Sequence, residues 1–214
     1  MRKVVIAGAS GLVGGQVARL LTDVELHLVT RRSIDGVSPQ VIQHVADSDG
    51  WAEITKALHP DVAISCLGTT IAKAGSKPAF SAIDLDLVLA FATAAKEGGA
   101  GQMISVSSVG ADAAAANFYL SVKGKAEQGL RELGFERLDI LRPGLLRGDR
   151  QEQRTGEGIA MLLSPLTDML LHGPLRRYRS IDSAQVARAI VKLLGETPGG
   201  QFIHENDAIA TLAS

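Results

Sequence analysis

The chain has 214 residues, 46% hydrophobic and 21% charged, with a formal net charge of -1 and a sequence pI near 6.5. That length suits one α/β domain with a modest core, and near-neutrality excludes a broad attraction to nucleic acid or an anionic membrane surface. No apolar run approaches the roughly 18 residues of a membrane span, Met1 leads directly into an apolar stretch, and the single cysteine cannot close an internal disulfide, so a soluble, cytoplasmic protein is expected.

Val4 to Ala7 is a short, largely β-branched run that suits a central parallel strand buried on both faces. Glycines follow at 8, 11 and 14. Gly8 suits the tight turn, Gly11 a close approach of backbone to a pyrophosphate, and Gly14 the packing of the next helix against the sheet. That helix, from Gly11 to about Leu21, would aim its free N–H groups and positive dipole end at the phosphates. The spacing is Gly-x-x-Gly-x-x-Gly, which points away from many dehydrogenases and toward short-chain and epimerase-like proteins.

Glu25 to Thr30 reads as the second strand and stops at Thr30-Arg31-Arg32. NAD-binding folds commonly place an acidic residue here, on the adenosine ribose. Two guanidiniums instead offer planar paired donors to a 2′-phosphate, so NADPH is expected over NADH. Val41 to Val45 is a third strand, followed by a turn at Asp47–Gly50 and a helix through Leu58 that Pro60 ends. Val62 to Leu67 is the fourth strand, leaving through Gly68-Thr69-Thr70, so Leu67 and Gly68 should reach the cofactor's adenosine or ribose side. Cys66 is expected to be a small buried filler.

Residues 71–80 read as a loop, and Ser81 to Lys96 as a helix with an apolar face at Ile83, Leu87, Ala90, Phe91 and Ala94, stopped by Gly98-Gly99. Met103 to Val106 is the fifth strand, ending in Ser107-Ser108-Val109-Gly110 at the same edge as Gly8 and Gly68. A helix opened by Asn117 then runs to about Leu133. Its Tyr119 and Lys123 stand four apart on one helical face. A phenol ordinarily titrates near pH ~10, a neighbouring ammonium favours the phenolate, and a serine hydroxyl can hold a carbonyl or alcohol in line. Tyr119, Lys123 and Ser108 are the catalytic candidates. Ser107 is the alternative serine.

These blocks together, Gly-Ala-Ser-Gly-Leu-Val-Gly, Arg31-Arg32, Cys66-Leu-Gly-Thr-Thr70, Lys73-Ala-Gly75, Ser107-Ser108, Tyr119-x-x-x-Lys123-Gly, Arg142-Pro-Gly144 and Asp149-Arg-Gln-Glu152, resemble the atypical short-chain dehydrogenase/reductases, specifically the Tat-interacting-protein-like oxidoreductases. The resemblance spans roughly residues 3–160. It implies NADP(H) on the glycine loop, with Ser10, Gly11, Leu12 and Val13 at the pyrophosphate beside Gly8 and Gly14, and Arg31 and Arg32 at the 2′-phosphate. It also implies Leu67 and Gly68 on the adenosine side, Tyr119 as proton acceptor, Lys123 on the ribose, and Leu146 and Arg154 completing the groove. The fourth strand lacks the Asn-Asn-Ala-Gly stretch of ordinary short-chain dehydrogenases, so their asparagine-assisted proton relay does not carry over.

Arg137 to Leu141 is the sixth strand, and Arg142-Pro143-Gly144 turns it toward the nicotinamide end of the groove. Arg147, Arg150 and Arg154 gather beside Asp149 and Glu152 as candidate anion contacts, and residues 155–171 form an apolar helix that could serve as a lid. Ser183 to Leu194 is an amphipathic helix, Gln201 to His204 a last strand, and 207–214 a loose tail. The five histidines lack metal-ligand spacing and are expected to be structural or at the surface.

The alternation of strands and helices predicts a Rossmann-type doubly wound parallel sheet, one domain over 1–214 with a small C-terminal extension and a substrate or lid region over about 145–182. The expected activity is NADPH-dependent hydride transfer to or from a small carbonyl or alcohol, by a monomer or homodimer that binds neither nucleic acid nor membrane. The alternatives are a non-catalytic NADPH-sensing regulator acting through a protein partner, and an epimerase or dehydratase acting on a nucleotide sugar.

Overall fold

A computed structural model describes residues 1–148, 173–194 and 196–214. The expected lid helix over 155–171, together with Asp149, Arg150, Glu152, Arg154 and His172, lies outside these residues. The strands are β1 (Lys3–Ala7), β2 (Glu25–Thr30), β3 (Ile42–Val45), β4 (Val62–Ser65), β5 (Gln102–Val106), β6 (Arg137–Arg142), β7 (Leu146–Arg147), β8 (Ile181–Asp182) and β9 (Gly200–Glu205). Seven form one parallel sheet in the order β3-β2-β1-β4-β5-β6-β9, while β7 and β8 form a separate parallel pair. The helices are α1 (Leu12–Leu20), α2 (Trp51–Ala57), α3 (Ile71–Ala74), α4 (Lys77–Ser81), α5 (Val88–Glu97), α6 (Phe118–Glu132), α7 (Ser183–Leu193) and α8 (Asn206–Leu212). This is the expected Rossmann-like fold.

Strand alternation sends successive side chains to two core layers. Val4, Ile6, Leu26, Leu28 and Ile64 face Val13 and Val17 of α1 and Val186 and Ile190 of α7. Val5, Ala7, Val29, Ala63 and Met103 share the other layer with Trp51, Phe91 and Leu130. Each fully buried Leu, Ile or Val contributes about 1.5–3 kcal/mol of transfer free energy, and burial on both faces explains why these strands read as unbroken apolar runs. The register pairs Ala7 with Ser65, Ser65 with Ser105, and Val106 with Leu141. The turns after β1, β4, β5 and β6 therefore open along one carboxyl edge. Strand order reverses between β1 and β4, where such sheets form a ligand crevice.

Three local expectations change. Residues 207–214 are not a loose tail, because α8 buries Ile209 completely in the first core layer. Residues 71–80 contain α3 and the start of α4, capped by the Thr70 and Ser76 side chains. Finally, α4 and α5 join through a π-helical turn at Ala82–Leu87. One wider turn rotates everything before it relative to a regular helix, so Asp84, Val88, Phe91 and Ala95 face inward while Ala90 is exposed. Lys77–Glu97 is long and apolar enough, with a mean hydropathy of 1.5, to pass a length-and-composition test for a membrane span. Its inward face nonetheless packs on this sheet and carries a buried, charge-paired Asp84, as the core helix of a globular domain does.

Histidines brace the fold. His204 contacts Asp139 Oδ1 at 2.9 Å. Burial opposes ionisation of Asp139, but hydrogen bonds from His204, Arg137 and Gln102 hold its carboxyl below the usual range. At the other end of the sheet, His27 shares hydrogen bonds of 2.9 Å with His44 and with Glu25. Burial, and then the neighbouring His27, push the His44 pKa below 6.5. The unfolded chain thus binds more protons at this residue, so its contribution to stability is whole above about pH 6.5 and is lost as pH falls through the folded value. The thermal midpoint is expected to drop between pH 7.5 and 5.5, and to drop less in His44→Gln. An equal drop in both would remove His44 as the cause.

Candidate functional site

The first part of the site is the turn from β1 into α1. Gly8 adopts φ +87°, and a Cβ there would sit 2.6 Å from the Cys66 carbonyl, so only glycine lets β1 and β4 leave the sheet side by side. A Cβ on Gly14 would strike the Gly8 carbonyl, which is why the helix lies so close to the turn. Gly11, the N-cap of α1, contributes no capping side chain, and the leading N–H groups of α1 have no intrahelical partner. Ser10 and Gly11 are exposed, Leu12 half-buried, and Val13 faces the core. This leaves the N-terminus of α1 without a capping side chain at the switch point of the sheet.

Arg31 and Arg32 stand exposed just after β2, and neither makes an ion pair with another described residue. Leu146 lies in β7, paired with Ile181. The chain beyond it reaches α1, since a Cβ on Gly148 would come within 3.0 Å of the Leu12 side chain. Leu67 is buried in the second core layer with Val88 and Phe91, so its side chain points away from the groove. Gly68 is exposed, and a Cβ there would lie 3.5 Å from both Lys123 Nζ and Asp84 Oδ1. Gly68 thus stands beside the lysine that was expected at the nicotinamide ribose. Cys66 is half-buried and packs against the first core layer, not fully buried as expected, and desolvation pushes its thiol up to about 12.

The second part is α6. Asn117 caps it by accepting from the Leu120 N–H at 3.1 Å, and Tyr119, Lys123 and Glu127 follow one another at i, i+4 and i+8 along one stripe. Tyr119 is half-buried, its ring 5.4 Å from Phe80, and its hydroxyl makes no hydrogen bond among the described residues. Lys123 is buried, with its Nζ 2.8 Å from Asp84 Oδ1. That oxygen receives no well-angled hydrogen bond, so charge holds the pair, while Asp84 Oδ2 accepts from the Thr69 N–H at 2.9 Å. Asp84 thereby ties the β4 exit to α6. Sequence reasoning missed it because the π-helical turn brings it inward, although an acid inside an apolar helical pattern was the available signal.

Glu127 takes one of the two candidate serines as a partner. Ser107 Oγ donates to Glu127 Oε1 at 2.7 Å, whereas Ser108 Oγ makes only a 3.4 Å contact to the Val109 carbonyl. Ser107 is therefore committed to the fold, whereas Ser108 makes only that one long contact. Glu127 also receives Arg142 Nε at 2.9 Å and Nη2 at 2.6 Å. This pairing holds the guanidinium further into its charged form and clamps the exits of β5 and β6 to the helix bearing Tyr119. Gly124 has no room for a Cβ because the Asp112–Ala113 backbone lies against it, which explains the glycine after Lys123. Pro143 is buried and accepts from the Val109 N–H at 3.1 Å, joining the serine turn to the β6 exit.

The structure thus brings together the glycine turn, Arg31 and Arg32, Gly68, Ser108, Tyr119, Lys123 and Leu146 along one sheet edge. It excludes the Leu67 side chain, and Arg154 lies outside the described residues. Among the described residues, no cluster of His, Cys, Asp and Glu could hold a metal ion.

A model of the NAD dependent epimerase/dehydratase family matches residues 4–119. Protein FMP52, mitochondrial, of Candida albicans is 37% identical over 193 residues, covering 85% of this chain and 84% of that protein. Protein HTATIP2 of Rattus norvegicus is 36% identical over 221 residues, covering 99% of this chain and 89% of that protein. The crystal structure of human epimerase family protein SDR39U1 with NADPH superposes with a TM-score of 0.64 at 19% identity, covering 95% of this chain and 73% of that one. The expected cytoplasmic location does not stand. FMP52 relatives from Candida albicans and two further fungi are named mitochondrial proteins, an address that composition and one unpaired cysteine could not exclude.

Proposed function

The chain belongs to the NAD dependent epimerase/dehydratase family, whose fold binds a nicotinamide dinucleotide, and on that premise we propose that it is an NADPH-dependent oxidoreductase acting on a small carbonyl or alcohol. The observation that carries this reading is the stripe of α6 that puts Tyr119 and Lys123 on one helical face, with Ser108, whose hydroxyl makes only a 3.4 Å contact, at the β5 exit along the edge that also holds the glycine turn. The bound cofactor supplies or accepts the hydride. The chain's own residues manage the oxygen. Ser108 donates a hydrogen bond to the substrate oxygen and fixes the carbonyl in line, and Tyr119 gives that oxygen a proton as the carbonyl becomes an alcohol, or removes it in the reverse direction. Lys123, pinned by Asp84, keeps a positive charge beside the phenol and a donor toward the nicotinamide ribose.

Arg31 and Arg32 bear the choice of cofactor, because an unpaired exposed guanidinium has no internal carboxylate to leave before it meets a 2′-phosphate. Calorimetric titration with NADPH and NADH is expected to show tighter NADPH binding, by about tenfold or more for charge-assisted hydrogen bonds to phosphate. In the Arg31→Ala/Arg32→Ala variant that preference should collapse. Equal binding of both nucleotides by the parent protein would remove the NADPH assignment, and binding of neither would reduce the glycine turn to architecture.

A further inference from the structure

Arg31 and Arg32 leave β2 at the start of the connection over residues 31–41, and long exposed side chains on a free loop would lose much entropy on gripping a ligand. The connection is not free at this point. The Gln43 side chain on β3 acts as a substitute strand: its Oε1 accepts from the Ile34 N–H at 2.8 Å and its Nε2 donates to the Ile34 carbonyl at 3.1 Å. On the other side of the arginine pair, the buried Thr30 hydroxyl donates to the Arg32 carbonyl at 2.8 Å. Ile34 itself packs against the core layer that contains Val13 and Val17 of α1. Backbone at residues 32 and 34 is thereby held by two side chains and an apolar anchor, referenced to the helix whose N-terminus faces the pyrophosphate.

We infer that Gln43 and Thr30 are specificity-positioning residues, which fix the Arg31-Arg32 backbone relative to α1 and so set the preference for a 2′-phosphorylated dinucleotide. This rests on the reading of the arginines as the 2′-phosphate site. Neither residue touches the phosphate. Each acts by keeping the guanidiniums from spending binding energy on ordering the turn. Gln43 reaches Ile34 because parallel pairing sets it opposite Leu28, in the layer facing α1. A fold-only role would make Gln43 matter to stability and leave the choice of nucleotide untouched.

The test measures dissociation constants for NADPH and NADH by calorimetry on the parent, Gln43→Met, Thr30→Val and Thr30→Ser proteins. Met and Val keep side-chain volume without the hydrogen bonds, whereas Ser keeps the hydroxyl. The ratio of NADPH to NADH affinity is expected to fall about tenfold in Gln43→Met and several-fold in Thr30→Val, with the loss on the NADPH side, and to be restored in Thr30→Ser. A parent that prefers NADPH with variants that keep its ratio would overturn the positioning role and leave the arginine site standing. A parent without preference would overturn the arginine site and this inference with it.

Discussion

Tyr119→Phe is expected to lower turnover by about a thousandfold, within the range by which a positioned proton donor accelerates such steps, while NADPH affinity stays close to the parental value. The aromatic ring is half-buried 5.4 Å from Phe80, and phenylalanine fills the same space, so the helix start and its Asn117 cap are preserved. The substitution deletes the hydroxyl, which has no partner among the described residues, so no internal hydrogen bond is broken. A large fall in kcat with intact nucleotide binding would therefore report on proton transfer and not on folding. Steady-state assays over a panel of aldehydes and ketones, paired with nucleotide titration, make the measurement. A variant that turned over at the parental rate would strip Tyr119 of its role and move attention to the NADPH-sensing alternative.

Loss of Glu127 should be the costliest single truncation in this part of the fold. The residue is 1% exposed, and its carboxylate accepts from Ser107 Oγ at 2.7 Å, from Arg142 Nε and Nη2 at 2.9 and 2.6 Å, and from Arg131 Nη2 at 3.1 Å. In Glu127→Ala, Arg142 keeps, among the described residues, only its 3.4 Å contact to Glu205 and its hydrogen bond to the Ala111 carbonyl. Breaking one partner of a buried ion pair costs about 3–5 kcal/mol, chiefly because the other charge stays buried. At about 2–4 °C per kcal/mol for a domain of this size, the thermal midpoint should fall by roughly 10 °C. Glu127→Gln keeps the volume and one acceptor for Ser107, and should lose less. Urea unfolding of the three proteins checks the ordering, and a loss below about 1 kcal/mol in Glu127→Ala would show that the clamp is not what holds the β5 and β6 exits to α6.

Much of the architecture was legible because its causes are local. Unbroken β-branched runs such as Val4–Ala7 can be read as buried parallel strands without knowing their neighbours, and three glycines at a spacing of three predict a turn whose geometry depends on a few consecutive residues. The Tyr119–Lys123 stripe was equally legible, since helical periodicity alone places those side chains on one face. The same periodicity reaches Glu127, which could have been added to the candidates by one further step of four. Where a non-helical geometry intervened, local reading was incomplete: the π-helical turn at Ala82–Leu87 breaks the phase of the helix, so Asp84 joins the inward face, while Phe91 and Ala94 are buried as assigned and Ala90 is exposed.

By itself, then, the sequence determined a Rossmann-type parallel sheet, a glycine-rich turn from β1 into α1, two arginines after the second strand and a Tyr-Lys helix. Each of these follows from residues within one or two turns or strands of each other. Only the tertiary structure decided which polar groups are already spoken for. Ser107 is bound to Glu127 and Ser108 is not, Lys123 is paired with Asp84, and Gln43 locks the turn that holds the arginines. Those choices depend on side chains brought from separate segments to one sheet edge, where a buried donor or charge must find a partner whatever its distance along the chain.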